Sequence, residues 1–276
     1  MMLRGDPRAT RGSVRYNVNV PLDPVVRKDF VTTVVLDWPS GLLADRATLD
    51  VNVKGDKMKI GIIGAGNIGG NLTRRFTHLG HDVAVANSRG PETLKELVEQ
   101  TGARAVNASE AALGADLVVV TIPEKNVPYL PPGFLDGANP GVVVIDTGNY
   151  YPQQRDGRIS AIEDGMTESR WVSEQIGHPV VKAFNGIYAA NLLERARPAG
   201  ASDRMALPVA GDDVVAKKVV MDLVNSLGFD PIDAGRIDDS WRQQPGAPVY
   251  GLDADANGVR LALAAAHHAR SVEWRA

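Results

Sequence analysis

Residues 58–70 read Met-Lys-Ile-Gly-Ile-Ile-Gly-Ala-Gly-Asn-Ile-Gly-Gly, and no other stretch constrains the fold as strongly. Lys59 to Ile63 is a short apolar run of strand length. Gly64, Gly66 and Gly69 then fall on the G-x-G-x-x-G spacing, and Ile68, Leu72, Phe76 and Leu79 continue at helical spacing to Gly80. Strand, glycine turn and helix in that order are the context in which this spacing reads as a dinucleotide site. Gly64 permits the tight turn, Gly66 lets a pyrophosphate reach the backbone, and Gly69 lets helix and strand pack closely. The anion then meets unpaired N–H groups at the helix N-terminus. A plain βα turn would use the same glycines, but the flanks favour the nucleotide.

Beyond this unit the chain keeps alternating. Val83–Ala86 predicts a second strand, and Pro91–Gln100 a helix with Pro at its start and Gly102 past its end. Leu117–Ile122, Val142–Ile145 and Pro179–Ala183 are continuous apolar runs, as central parallel strands require. Leu207–Ala210, a helix through Leu227, and Phe229–Ile232 form a further β-α-β unit, and Ala256–Trp274 predicts a terminal helix. The polar stretch between Tyr150 and Met166 reads as a loop. The expected fold is α/β: a Rossmann-type, doubly wound, mainly parallel sheet over 58–205, with a small C-terminal α/β lobe over 206–276.

Residues 1–57 stand apart. Arg4, Arg8, Arg11 and Arg15 open the segment, but no apolar core follows them as in a signal peptide. Asp6, Asp23, Asp29 and Asp37 are unlike a transit peptide. Two β-branched stretches, Val18–Val20 and Val31–Val35, would suit a hairpin appendage. The preferred reading puts the segment outside the catalytic fold. Lys54-Gly55-Asp56-Lys57 can be encoded by a purine-rich stretch of ribosome-binding type, which makes Met58 an alternative start. The net charge of −3 exerts no broad pull on nucleic acid or membrane, and the absence of cysteine excludes disulfides and thiolate chemistry. These features fit a cytoplasmic enzyme.

Cofactor choice is read at the end of the second strand, where NAD enzymes place a carboxylate on the ribose 2′-OH. Here the chain has Asn87-Ser88-Arg89-Gly90. No acid stands there to repel a 2′-phosphate, Asn87 and Ser88 can donate hydrogen bonds, and Arg89 offers a planar fork. NADP is favoured over NAD.

Further motifs recur with this turn: Asp146-Thr147-Gly148-Asn149-Tyr150-Tyr151-Pro152, Lys182-Ala183-Phe184-Asn185, Gly211-Asp212-Asp213, Leu227-Gly228-Phe229-Asp230-Pro231 and Asp233-Ala234-Gly235. Together they resemble the NADP oxidoreductases that reduce the deazaflavin coenzyme. They are also similar to the NADPH-binding domain of the six-transmembrane ferrireductases. The resemblance spans 58–250 and implies NADP(H) in the cleft of a Rossmann domain, often in a homodimer. It implies that Gly64, Ala65, Gly66, Asn67, Ile68 and Gly69 hold the pyrophosphate, and that Asn87, Ser88 and Arg89 receive the 2′-phosphate. Thr121, Ile122 and Pro123 would line the nicotinamide-side ribose, and Ala183, Phe184 and Asn185 the nicotinamide. The second substrate implied is a deazaflavin or flavin.

Hydride transfer between two stacked rings chiefly needs positioning in a dry cleft. A carbonyl or imine reductase also needs a proton donor. Lys182 and Asn185 could be read as such a pair, but they straddle a strand end, and a structural lysine is the simpler reading. Asp146 either faces the cleft or caps the following turn, and Tyr150 and Tyr151 either shape the acceptor pocket or pack the loop. His78 and His81 flank a helix end, the adjacent His267 and His268 cannot form an i, i+4 ligand pair, and His178 reads as structural. No metal site and no side-chain catalyst is expected. Trp241 and Gln243-Gln244-Pro245 lie in a loop that could close over the acceptor. Three functions compete: an NADPH-dependent reductase of a deazaflavin or flavin, an NADP-dependent reductase of a small carbonyl or imine such as pyrroline-5-carboxylate, and a non-catalytic NADP-binding redox sensor. The second family follows its Rossmann domain with a long helical dimerisation domain, whereas 205–235 here reads β-α-β.

Overall fold

Mainly apolar strands of four or five residues form the centre of the molecule. The computed structural model describes residues 57–276, which make one compact unit, Lys57–Ala276. The expectations placed on the hairpin-like stretches before Lys57 lie outside the described residues. The order is β1 (Lys59–Ile63), α1 (Asn67–His78), β2 (Asp82–Ala86), α2 (Lys95–Thr101), β3 (Arg104–Ala105), β4 (Leu117–Val120) and β5 (Val143–Asp146). Then come α3 (Ser160–Glu163), α4 (Glu168–Ile176), β6 (Val181–Lys182), α5 (Asn191–Glu194), β7 (Ala206–Val209), α6 (Val214–Ser226), β8 (Asp230–Asp233) and α7 (Ala256–Ala264).

Strands β3-β2-β1-β4-β5-β6 form one six-stranded sheet, and every pair is parallel. Successive side chains alternate between its faces. Ile60, Ile62, Val83, Val85, Leu117 and Val119 pack on one side with Leu72 and Phe76 of α1. Val118, Val120 and Val144 pack on the other with Trp171 and Val172 of α4. Both faces are therefore covered, which is why these strands read as unbroken apolar runs. The strand order reverses between β1 and β4, and that reversal opens a crevice at the strands' C-terminal ends, where open α/β sheets bind ligands.

The C-terminal unit adds β7 and β8 as a two-stranded parallel sheet. Ala210 exchanges backbone hydrogen bonds with Lys182, which joins this sheet to the end of β6. Val209, Val220, Leu223, Val224 and Phe229 share a core with β1 and α1. Asp213 caps α6 by accepting from the Val215 and Ala216 N–H groups, at 2.8 and 3.0 Å. Among the described residues, no helix is long and apolar enough to cross a membrane.

Several expected boundaries move. The helix expected over 91–100 begins as a 3-10 turn, Pro91–Leu94, before α2. The strand expected to run to Ile122 ends at Val120, and the one expected from Pro179 starts at Val181, since proline has no N–H to give a ladder. The stretch read as a loop over 150–166 contains a π turn, Pro152–Asp156, and α3. The terminal helix stops at Ala264 rather than Trp274. Val259 and Leu263 are its buried residues, and Ala266 and His267 offer no large apolar side chain to carry that face further.

Candidate functional site

The glycine turn is shaped by close backbone contacts. Gly64 has φ +111°, and a Cβ there would be driven into the Thr121 carbonyl. A Cβ on Gly69 would strike the Gly64 carbonyl. Gly66 differs: no heavy atom lies within 4 Å of the position its Cβ would take, so the space above it is open. Gly66 is also the N-cap of α1 and supplies no side-chain hydrogen bond, so the first turn's N–H groups face that opening without a side-chain cap. A diphosphate fits such a cradle. Gly64, Ala65, Gly66, Asn67, Ile68 and Gly69 thus meet where Thr121 and Ile122 leave β4.

At the end of β2 the Asn87 amide is spent on shaping the turn. It donates to Thr93 Oγ1 at 2.8 Å and accepts from the Arg89 N–H at 2.9 Å. Ser88 and Arg89 are exposed, and Arg89 makes no ion pair with any described residue. The acid in this turn is Glu92, whose carboxylate lies against Gly90.

Thr121, Ile122 and Pro123 are half-buried along the crevice. Ala183 and Phe184 are fully buried, and the Phe184 ring joins the core beneath. The expected nicotinamide contact from these two residues can come only from their backbone. Phe184 has φ +63°, and it is the one non-glycine residue among the described residues with a positive φ. Such strain persists where surrounding contacts hold it and is frequent at binding sites. The contacts are here: Asn185 Nδ2 donates to Asn149 Oδ1 at 3.0 Å and to the Gln243 carbonyl at 2.6 Å. Gln243 Nε2 donates back to Asn185 Oδ1 at 3.1 Å. The Gln243 loop is therefore pinned to the end of β6.

Beneath this wall lies a charged cluster that spans five segments. Lys182 is 0% exposed; its Nζ donates to the Gly148 carbonyl at 2.8 Å and sits 3.4 Å from Glu168 and 3.6 Å from Asp146. Asp146 accepts from Ser169 Oγ at 2.6 Å and from the Gly148 N–H at 2.8 Å, so it caps its own turn and does not face the crevice. Arg270 reaches in from the C-terminal tail to pair with Glu168. Glu124, directly after Pro123, is 0% exposed and has no hydrogen-bond partner on either oxygen. Burial, followed by the charge of Asp146, pushes the Glu124 carboxyl well above the usual range. Burial also raises Glu168, against the pull of Lys182 and Arg270. For Lys182, burial lowers basicity, but Asp146, Glu168 and Glu124 outweigh it and hold the ammonium above its ordinary value.

Lys182 is thus structural, and it does not form a pair with Asn185. Tyr150 is buried and accepts from the Ile159 N–H at 2.9 Å, so it packs the loop. Tyr151 bonds Tyr250 through its hydroxyl and stacks near Trp274. His81 Nδ1 takes the Met58 N–H, and the His268 ring packs at a tilt against Trp241. The sequence reading overlooked Glu124, Glu168 and Arg270. Glu124 alone carried a signal, being an acid at the C-terminal end of a central strand.

Residues 59–150 match the family described as NADP oxidoreductase coenzyme F420-dependent. The hypothetical protein SMa0349 from Sinorhizobium meliloti is 31% identical, with a TM-score of 0.60 over 72% of this chain and 95% of that one. Over residues 59–150 the chain is similar to the NADP oxidoreductases. The chain also shares its fold with a candidate F420-dependent NADP reductase from Arthrobacter sp. FB24, at 24% identity and a TM-score of 0.54 over 65% and 86% of the two chains. The Escherichia coli (strain K12) protein YjhV is 51% identical over 59 residues, which are 21% of this chain and only 43% of YjhV.

Proposed function

We propose that this protein is an NADPH-dependent oxidoreductase that moves a hydride between NADP(H) and a deazaflavin or flavin-type ring. When bound, the cofactor supplies the hydride; the chain supplies position. Gly64 to Gly69 hold the diphosphate on the uncapped start of α1, and the exposed Ser88 and Arg89 receive the 2′-phosphate. Thr121, Ile122 and Pro123 flank the nicotinamide ribose, and Ala183 to Asn185 form the wall behind the ring. A homodimer in the cytoplasm belongs to the same proposal.

The observation that carries the acceptor assignment is the engagement of Lys182. A carbonyl or imine reductase needs a proton donor in the crevice, and Lys182, the candidate, is turned under the wall and held by Gly148, Asp146 and Glu168. Asn185 is likewise committed to Asn149 and Gln243. What remains is a wall suited to aligning two rings, and for ring-to-ring hydride transfer alignment is most of the catalysis. The test is NADPH oxidation by the purified protein against a deazaflavin, a flavin, ferric chelates, and a panel of carbonyls and imines. Turnover with the ring acceptors is expected. Turnover confined to a carbonyl or imine would overturn the reading, and tight NADPH binding without any turnover would favour the sensor.

A further inference from the structure

Glu124 is the group that cofactor binding leaves unexplained. The charges around it come from every element packed against it. Asp146 ends β5, Glu168 opens α4, Lys182 ends β6, and Asp156 stands in the turn after β5. Asp156 is already paired with Arg155 at 2.9 Å and accepts the Tyr151 N–H at 2.8 Å. Lys125, next in sequence, points outward to the Arg155 carbonyl. Asp146 has Ser169 and the Gly148 N–H, while Glu168 has Lys182 and Arg270. Glu124 has no donor at all.

The charges therefore do not balance if every acid is ionised. Glu124, Asp146 and Glu168 share Lys182 and Arg270, which leaves one carboxylate in excess. A buried carboxylate without donors is the costliest member to keep charged. Its position matters as much as its burial. Glu124 directly follows Thr121–Pro123, and Lys182 directly precedes Ala183–Asn185. The cluster thus adjoins both segments assigned to the nicotinamide end. The oxidised ring carries a positive charge that the reduced ring lacks.

We propose that Glu124 holds a proton when the site is empty or contains NADPH and releases it when the site contains NADP+, so that the buried cluster senses the charge of the nicotinamide. This rests on the NADP(H) reading above. The cation in the crevice offsets the excess negative charge, and the carboxylate becomes tolerable. Through Glu124, low pH then disfavours NADP+ relative to NADPH. In the limit of one released proton the ratio of their affinities shifts towards NADP+ about tenfold per pH unit.

The test is calorimetric titration of the full chain with NADP+ and with NADPH near about pH 7, in buffers of different ionisation enthalpy. Proton exchange at the 2′-phosphate is common to both nucleotides, so their difference isolates the ring. NADP+ should release close to one proton more than NADPH. Glu124→Gln keeps the shape of the neutral acid and should abolish that difference. Equal proton counts with both nucleotides bound would overturn the proposal, as would a difference that survives in Glu124→Gln. Should the variant fail to fold, infrared spectra of the unsubstituted protein decide: a protonated-carboxyl band present with NADPH should vanish with NADP+, and an unchanged band refutes the proposal. Binding of neither nucleotide would sink the cofactor reading and this inference with it. That pattern is distinct from binding without proton release.

Discussion

At the ends of β1 and β2 the chain leaves the N–H groups of α1 and the guanidinium of Arg89 open to solvent. Beneath the ends of β4, β5 and β6 it instead buries Glu124, Asp146, Glu168 and Lys182 completely, with Arg270 nearly so. The first region has unmet donors; the second has acids and cations locked against each other. On the proposed reading, the first receives a charged ligand. The other can only sustain the wall and respond to charge beside it. Substitutions should therefore move ligand affinity in the first region and stability in the second.

The largest effect belongs to the buried cluster. Lys182→Met removes the cation that three acids face and should cost about 3–5 kcal/mol of stability, because breaking a buried pair leaves uncompensated charge. Denaturant unfolding reads it, and a loss of less than about 1 kcal/mol would mean that water reaches the cluster. Stability should also depend on pH in a definite direction. Glu124 and Glu168 titrate above their ordinary values in the folded protein. Above the usual glutamate range the folded state thus holds more protons than the unfolded one, so stability falls as pH rises from about 5 towards neutrality. Glu124→Gln should flatten that slope.

The glycine turn tests the comparison within one motif. Gly64→Ala forces a side chain into the Thr121 carbonyl at φ +111° and should cost more than about 1 kcal/mol, since the native conformation is incompatible with it. Gly66→Val meets open space and should stay within about 1 kcal/mol of the parent protein, near the cost of a poor N-cap. It should nevertheless lose NADPH, because the diphosphate needs that space. Thermal melts with and without NADPH separate the two outcomes. Normal NADPH binding by a folded Gly66→Val would make the turn purely structural.

The same contrast explains what the sequence made legible. The strands from Lys59, Leu117 and Val143 were visible because parallel strands covered on both faces must be continuously apolar. The glycine turn was visible because close backbone contacts at Gly64 and Gly69 leave no room for a side chain. The cluster was not visible. Glu124, Asp146, Glu168, Lys182 and Arg270 lie on separate segments, and nothing local marks an acid that tertiary packing will desolvate. Helix α4 was overlooked for a related reason: Glu168 and Ser169 look like a solvated first turn, yet both are buried. The terminal helix was overextended because alanine favours helix wherever packing is silent. There the tail leaves the helix, and Arg270 reaches Glu168.

Arg89→Ala brings the test to the open region. A charge-assisted hydrogen bond contributes about 1.5–3 kcal/mol, less where water competes. NADPH should bind roughly tenfold weaker or worse, which is about 1.4 kcal/mol, and NADH almost unchanged. Fluorescence titration of both nucleotides decides it. Equal weakening of the two would remove the 2′-phosphate from this turn.

The smallest effect is expected three residues on. Glu92 lies in the first turn of the 3-10 segment Pro91–Leu94, and its carboxylate lies against Gly90, within the turn assigned to the 2′-phosphate. A carboxylate so placed repels a phosphate dianion, but the side chain is exposed and water screens the repulsion, so its influence stays below about 1 kcal/mol. Glu92→Gln should accordingly tighten NADPH by a few-fold at most and leave NADH alone. The gain should shrink as salt is raised, since exposed charges are screened within about 10 Å at 0.1 M ionic strength. Tightening that is equal for both nucleotides would show that Glu92 acts on the turn's conformation. Weaker NADPH binding would show that the Glu92 carboxylate helps to hold the turn in its binding shape. Either result would separate the 2′-phosphate from Glu92, while the Arg89→Ala result would still report on whether the guanidinium receives it.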